Sequence, residues 1–467
     1  MRAVSLTASA PSASSRWRAA ALALALLVGL LRARAQAGPP ASGYARSPHG
    51  DPLSGVLRVP TSPRGGCMHC HDPRSAGGRR EKVRCQECHA APSLLGVYPG
   101  AGAYARSAHA SPWSIWPEAD RGRRPAEGGD CAACHDPHGR RDAAGLVPSL
   151  GRAREEGLCL ACHDGSPAKD VRPQPGQVHA HPWAASAGQH AAGERGPDAA
   201  QPGAPAARHA ECVDCHNPHA VRRDAVRPLP PDAPGALLGV ARVRVSNGAA
   251  GTAPAFSLAG PDDPSPPREY EVCFRCHSAY AVLRPGAKDL AVAFNPANAS
   301  THPVEGRGAN PGIAPGAFVP GWSADSTVLC SDCHSGDTGV RGPHASSHGH
   351  LLRARYVAEP GRRAASPDDL CFGCHAYGAY ADAAAGAATL AQSRFNPPNS
   401  AAGHAYHVAA QGIGCWTCHE THGSPTTPNL VAAGRTGGIL AFAREAMGGS
   451  CTTSCHAPKA YGLNYPR

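Results

Sequence analysis

Cys131-Ala-Ala-Cys134-His135-Asp-Pro-His138, followed by Leu158-Cys159-Leu-Ala-Cys162-His163, is the stretch whose reading decides the fold of this 467-residue chain. Each half is a cysteine pair two residues apart with a histidine directly after the second. Working outward, CxxCH recurs at Cys67-Cys70-His71, Cys85-Cys88-His89, Cys212-Cys215-His216, Cys273-Cys276-His277, Cys330-Cys333-His334, Cys371-Cys374-His375 and Cys415-Cys418-His419. A tenth copy, Cys451-Thr-Thr-Ser-Cys455-His456, has one extra residue between its cysteines. All 20 cysteines belong to these ten motifs, so none is left over.

CxxCH is the signature of covalent haem c attachment. Two thiols add across the haem vinyl groups, and the next histidine reaches the iron as proximal ligand. Disulfides or zinc would also use paired cysteines, but neither requires a histidine after the second cysteine every time. Thioredoxin-like redox sites would need a repeated βαβ pattern, which the sequence lacks. Ten covalently attached haems are expected, the CxxxCH copy included.

Composition agrees. Gly (54) and Pro (47) exceed a fifth of the chain, and only 5% of residues are aromatic. Large aliphatic side chains are too sparse to offset the entropy of ordering so long a chain, so porphyrin is expected to form the core. Arg2, Arg16 and Arg18, the apolar run 19–31 and Ala35-Gln36-Ala37 read as a signal peptide over 1–37. The apolar run is too short to span a bilayer, so an exported protein that does not span the membrane, periplasmic or extracellular in a bacterium, is expected. Residues 1–37 hold five Arg and no acids, which lowers the formal charge from +10 to +5 in the mature chain. The Arg pairs (79–80, 123–124, 222–223, 362–363) lack the aromatic interleaving of nucleic-acid binders, so no nucleic-acid partner is expected. Arginine is expected to face haem propionates instead.

The motifs form five doublets whose members differ. Second members have apolar flanks, as in Val272-Cys273-Phe274 and Leu370-Cys371-Phe372. Three first members run on to a second histidine: His138, His219 and His422. Upstream of two doublets lies a shared phrase, Tyr44-Ala-Arg-Ser-Pro-His49 and Tyr104-Ala-Arg-Ser-Ala-His109, and later units carry His181-Pro182 and His302-Pro303. In these features the chain resembles the doubled-CXXCH family of multihaem cytochromes, whose repeat is CxxCHxPH followed by LCxxCH. Residues 131–163 match best; 212–277, 330–375 and 415–456 match with longer insertions. Residues 67–89 match least, with Arg74 where the second histidine should be. The expected organisation is haem doublets over 38–95, 96–170, 171–285, 286–380 and 381–467, with an Ala/Gly/Pro-rich linker at 186–208. The expected fold is irregular and haem-dominated: a short helix at each motif, mostly coil between, a few hairpins (one near Val240–Ser246), and an extended multihaem array.

The sixth iron ligand separates a carrier from an enzyme. Methionine ligation is nearly excluded, because Met1 is cleaved, Met68 lies inside a motif and only Met447 remains. Of 26 histidines, ten are proximal and His69 is trapped within a motif, which leaves fifteen for ten distal positions. The preferred distal set is His49, His109, His138, His181, His219, His302, His344, His404 and His422. The tenth is open among His179, His190, His209, His348, His350 and His407. His138 sits one helical turn past His135 and cannot cross its own haem, so it should serve a neighbour's, as should His219 and His422. Ten bis-histidine haems imply electron transfer rather than catalysis. Partners would be redox proteins or extracellular acceptors, an outer-membrane porin complex, or further copies in a filament. The competing reading is an oxidoreductase acting on a small nitrogen or sulfur oxyanion at one five-coordinate haem, although the CxxCK motif of nitrite reductases is absent.

Overall fold

The computed structural model describes residues 43–72, 81–82, 85–89, 104, 106–110, 130–143, 145–183, 209–224, 228–308, 310, 312–356, 362–397 and 403–463. The signal peptide, the 186–208 linker, Arg74 and His190 lie outside them. The chain divides into two units, Met1–Val83 with His135–Arg152 and Arg84–Cys134 with Ala153–Arg467.

Both units are irregular. The described sheets are five two-stranded ribbons and one of three strands, and the longest described helix, Glu269–His277, has nine residues. Glycine and proline stop elements before they can propagate, so tertiary contacts must hold each short piece. In the first unit His69 acts as a plug. Its Nδ1 accepts the backbone N–H of Val59 (3.0 Å) and Arg58 (3.2 Å), and its Nε2 donates to the Pro63 carbonyl (2.9 Å). The side chain is therefore committed to shaping its own loop, in keeping with its exclusion as a ligand.

The second unit holds a conventional hydrophobic cluster, which composition did not lead us to expect. Val243, Phe274, Tyr280, Ala291, Phe294 and Val304 are buried together, with Phe256, Tyr270 and Leu290 packed against them. Three of the chain's seven phenylalanines concentrate here, so a chain sparse in aromatics still builds one local core. The expected hairpin is its lid: Arg242–Ser246 pairs antiparallel with Ala255–Ala259, although the connection is eight residues rather than a tight Asn-Gly turn. Beneath it Arg242, 2% exposed at the side chain, bonds Glu271 (2.9 Å) and Asp263 (3.1 Å). Arg275 likewise meets Asp214, and both Arg355 and Arg363 meet Asp369. These arginines are engaged by protein carboxylates, whereas the sequence reading assigned arginine to propionates.

Two ribbons do more than cover. His179–Ala180 pairs with Ala345–Ser346, and Ser300–Thr301 with Gly423–Ser424, so each joins segments more than 120 residues apart. Most motifs do sit on a short α or 3-10 helix, such as Glu155–Leu160, Cys212–Cys215 and Cys415–Thr417. The tenth does not. Cys451 lies in the strand Gly448–Thr453, between Ile439–Glu445 and Lys459–Gly462. Glycines and β-branched threonines favour an extended chain there, and the third cysteine spacer fits a strand end rather than a helical turn.

Two outcomes test this description. Phe274→Ala should destabilise the second unit by about 3–5 kcal/mol in thermal or denaturant unfolding, with motif cysteines untouched. His69→Ala should cost about 1–3 kcal/mol through the orphaned N–H groups of Arg58 and Val59, with no change at any iron.

Candidate haem sites

Eight of the ten motifs present their proximal imidazole beside a second histidine from elsewhere in the chain. Ring centroids are 6.1 Å apart for His71 and His138, 6.2 Å for His163 and His109, and 5.9 Å for His216 and His344. They are 6.3 Å apart for His277 and His181, and 6.2 Å for His334 and His422. His419 faces His404 at 6.0 Å and His456 faces His407 at 6.5 Å. An eighth proximal ring, His375, lies close enough to His302 to feel its charge. Two imidazoles on one metal, each bonded at about 2 Å, have centroids about 6 Å apart, so this spacing fits an iron between each pair.

Second histidines reach backwards by one doublet. His138 of the second doublet meets His71 of the first, His344 of the fourth meets His216 of the third, and His422 of the fifth meets His334 of the fourth. The sequence foresaw service to a neighbour, but not its direction. His344 is the fourth doublet's version of the second histidine, hidden by the longer insertion after His334.

Backbone carbonyls choose which ring nitrogen is free. His49 Nδ1 bonds the Pro137 carbonyl (3.3 Å), His109 the Pro218 carbonyl (2.8 Å), His181 the Pro343 carbonyl (2.7 Å) and His302 the Thr421 carbonyl (2.6 Å). Each acceptor directly precedes a second histidine: His138, His219, His344 or His422. An upstream histidine and a second histidine are thus stapled side by side, with Nδ1 as donor and Nε2 left for metal. The two long-range ribbons flank the staples at Pro343 and Thr421. In the fifth doublet the pair comes instead from the π-helical turn Ala405–Ala410: His404 precedes it, His407 lies within it, and His407 Nδ1 bonds the Gly403 carbonyl (2.8 Å).

Proximal rings are held in the same way. Nδ1 of His135, His216, His334 and His419 lies 3.0, 2.8, 2.8 and 3.0 Å from the carbonyls of Ser149, Ala236, His350 and Asn429. These acceptors sit in the turns Pro148–Leu150, Gly235–Leu237, Gly349–Leu351 and Pro428–Leu430, a Pro/Gly-x-Leu repeat that the sequence reading passed over.

Burial keeps the rings in the neutral form that binds metal. It pushes His344 and His375 down to about 4 and His422 to about 3, helped in each by neighbouring imidazoles. The same burial raises the thiols of Cys215 and Cys418 to about 12 and of Cys333 to about 11.

Thiols of consecutive motifs are also neighbours. Cys273 feels the Cys330 thiol and Cys371 the Cys415 thiol, which places the third doublet beside the fourth and the fourth beside the fifth. Within doublets, Cys215 senses Cys273, Cys333 senses Cys374, and Cys418 senses Cys451. From Cys212 to Cys455 the attachment sites therefore follow one another in chain order, which the sequence could not tell.

Among the remaining candidates for a tenth distal ligand, His209 pairs with buried Glu211 (3.4 Å), His350 lends its carbonyl to His334, and His179 is exposed on its ribbon. His407 is the one placed against a proximal ring. His49 and His219 hold staple positions in sequence with the others.

None of the 20 cysteines forms a disulfide, and among the described residues no three His, Cys, Asp or Glu side chains converge on a metal-ion site. No described helix is long and apolar enough to cross a membrane. No curated protein and no solved structure matches the chain. The family model for the doubled CXXCH motif matches residues 124–168 and 323–379, the second doublet and the fourth. With that motif matched twice, and irregular coil between the motifs, the findings are consistent with a multihaem c-type cytochrome of the doubled-CXXCH kind.

Proposed function

We propose that the protein is a ten-haem electron conduit in which every iron carries two histidines, exported to the periplasm or the cell exterior. The proximal ligands are His71, His89, His135, His163, His216, His277, His334, His375, His419 and His456. Their distal partners are His138 for His71, His109 for His163, His344 for His216, His181 for His277, His422 for His334, His302 for His375, His404 for His419 and His407 for His456. His49 and His219 complete the set of ten distal histidines. Bound haem supplies the one-electron iron couple.

The observation that carries this reading is the recurring pair of imidazoles about 6 Å apart. A histidine on each side leaves no place on the iron for a substrate, so the chain's task is to hold ligands still while charge passes. Stapled Nδ1 groups do this: they fix ring and tautomer, so little has to reorganise when an iron changes charge. With Cys273 beside Cys330 and Cys371 beside Cys415, haems attached at these motifs would be neighbours across successive doublets, which would favour transfer in chain order. The partner would be another redox protein or an extracellular acceptor, reached through a porin complex or a filament of copies.

Mass spectrometry of the exported protein should find the chain cut near Gly38 and heavier by ten haems. Its ferric spectrum should be wholly low-spin. His422→Ala should create one high-spin, CO-binding haem, located at His334 when the holoprotein's iron ligands are determined, with His419 still six-coordinate. A high-spin band in the unmodified protein, or its rapid binding of nitrite or CO, would favour the oxyanion-reducing enzyme instead.

A further inference from the structure

Three of the four turns behind the proximal histidines contain paired non-glycine residues in the left-handed region: Ser149 and Leu150 (φ 52° and 55°), His350 and Leu351 (60° and 56°), Asn429 and Leu430 (57° and 56°). Leucine rarely adopts this conformation, and strain of this kind persists where the surroundings over-determine it. Here the surroundings are the same each time. Each turn forms a β-bridge to its proximal histidine, at His135–Gly151, His334–Leu352 and His419–Val431. The residue after the histidine is tied down as well, Asp136 N–H to the Leu150 carbonyl and Glu420 N–H to the Leu430 carbonyl, both at 2.6 Å. The left-handed pair turns the carbonyl of Ser149, His350 or Asn429 onto Nδ1. In the third doublet Ala236 presents its carbonyl from the 3-10 turn Gly235–Leu237.

An independent observation separates first members from second members, and it coincides with the turn at His216, His334 and His419. At first members the two imidazole planes are nearly parallel: 10° for His71 and His138, 13° for His216 and His344, 17° for His334 and His422, 24° for His419 and His404. At second members they cross, at 78° for His163 and His109 and 60° for His277 and His181. The CxxxCH site, at 32°, lies between. A proximal ring clipped at the backbone and at Nδ1 cannot rotate about its bond to iron, so the clip sets its plane.

We propose that the Pro/Gly-x-Leu turn is a positioning device that aligns the two ligand planes at the haems of His216, His334 and His419, in contrast to the crossed planes at second members such as His163 and His277. The proposal rests on the bis-histidine reading above. Parallel planes give ferric low-spin iron a rhombic EPR signal, and crossed planes give a signal with one very large g value. Donation from Nδ1 also strengthens the ligand and stabilises the ferric state, so clipped haems have lower potentials.

EPR of the ferric full-length holoprotein should show both low-spin families. Asn429→Val, which disfavours the left-handed turn, should remove one haem's share of the rhombic signal and raise the potential of that haem. Asn429→Gly, which accepts the turn, should match the parent protein. A single low-spin family in the parent, or an Asn429→Val protein with full haem content and unchanged signal and potential, overturns the proposal. If Asn429→Val does not accumulate, His350→Val at the His334 haem serves in its place, and the two-family spectrum of the parent remains decisive. A high-spin parent spectrum would instead undo the bis-histidine reading.

Discussion

A hydrogen bond from an imidazole Nδ1 to a backbone carbonyl recurs at nearly every point where the chain must be placed accurately. At His49, His109, His181 and His302 it ties an upstream segment to the residue before a second histidine. At His135, His216, His334 and His419 it ties a motif to the turn behind it. One such bond contributes about 1 kcal/mol to stability. Its larger effect is on identity: it decides which nitrogen faces the metal and which way the ring lies. The short ribbons, bridges and turns around these bonds exist to bring a carbonyl to a ring.

The rest of the architecture follows from scarcity. With few aliphatic side chains, no large sheet or long helix can be buried, and elements stay two to nine residues long where they are described. Around Phe274 and Phe294 side chains alone make a core, and that core reaches a second histidine too: Phe294 packs edge-on against His422 at 5.1 Å. Buried arginines answer carboxylates of their own chain, as Arg242 does Glu271, and Arg435 adds a stacked contact over Trp416 at 4.2 Å.

What could be read from the residues was what covalent chemistry writes contiguously. Cysteine pairs and the histidine after them need no folding to be recognised, and the Tyr-Ala-Arg-Ser phrase pointed to His49 and His109. That second histidines would lie beside another motif's histidine was legible, because a short helix cannot reach round a porphyrin at its own motif. The backward direction of that service was not legible, since it depends on ribbons such as Ser300–Thr301 with Gly423–Ser424, whose partners are distant. His407 could not be separated from five other candidates without the π-helical turn that carries it. The Pro/Gly-x-Leu turns escaped notice because their working atom is a carbonyl, which every residue has, and backbone handedness alone makes it special. The helical expectation failed at Cys451 because a CxxxCH spacing no longer demands a helical turn.

The staples also order events in time. His49 and its carbonyl are 88 residues apart, His109 and its carbonyl 109, His302 and its carbonyl 119, and His181 and its carbonyl 162. Contacts of such separation close late, because the intervening chain must first exist and then give up its freedom. Attachment of a porphyrin needs only the residues of one motif. In a chain made from its N-terminus, the third doublet can therefore acquire both haems before Pro343 and His344 have been synthesised. On the proposed ligation, the His216 site would then lack His344 until the fourth doublet arrives, whereas the His277 site would already have His181. The growing precursor would thus carry an open iron at the first member of its newest doublet, and the arrival of the next doublet would close it.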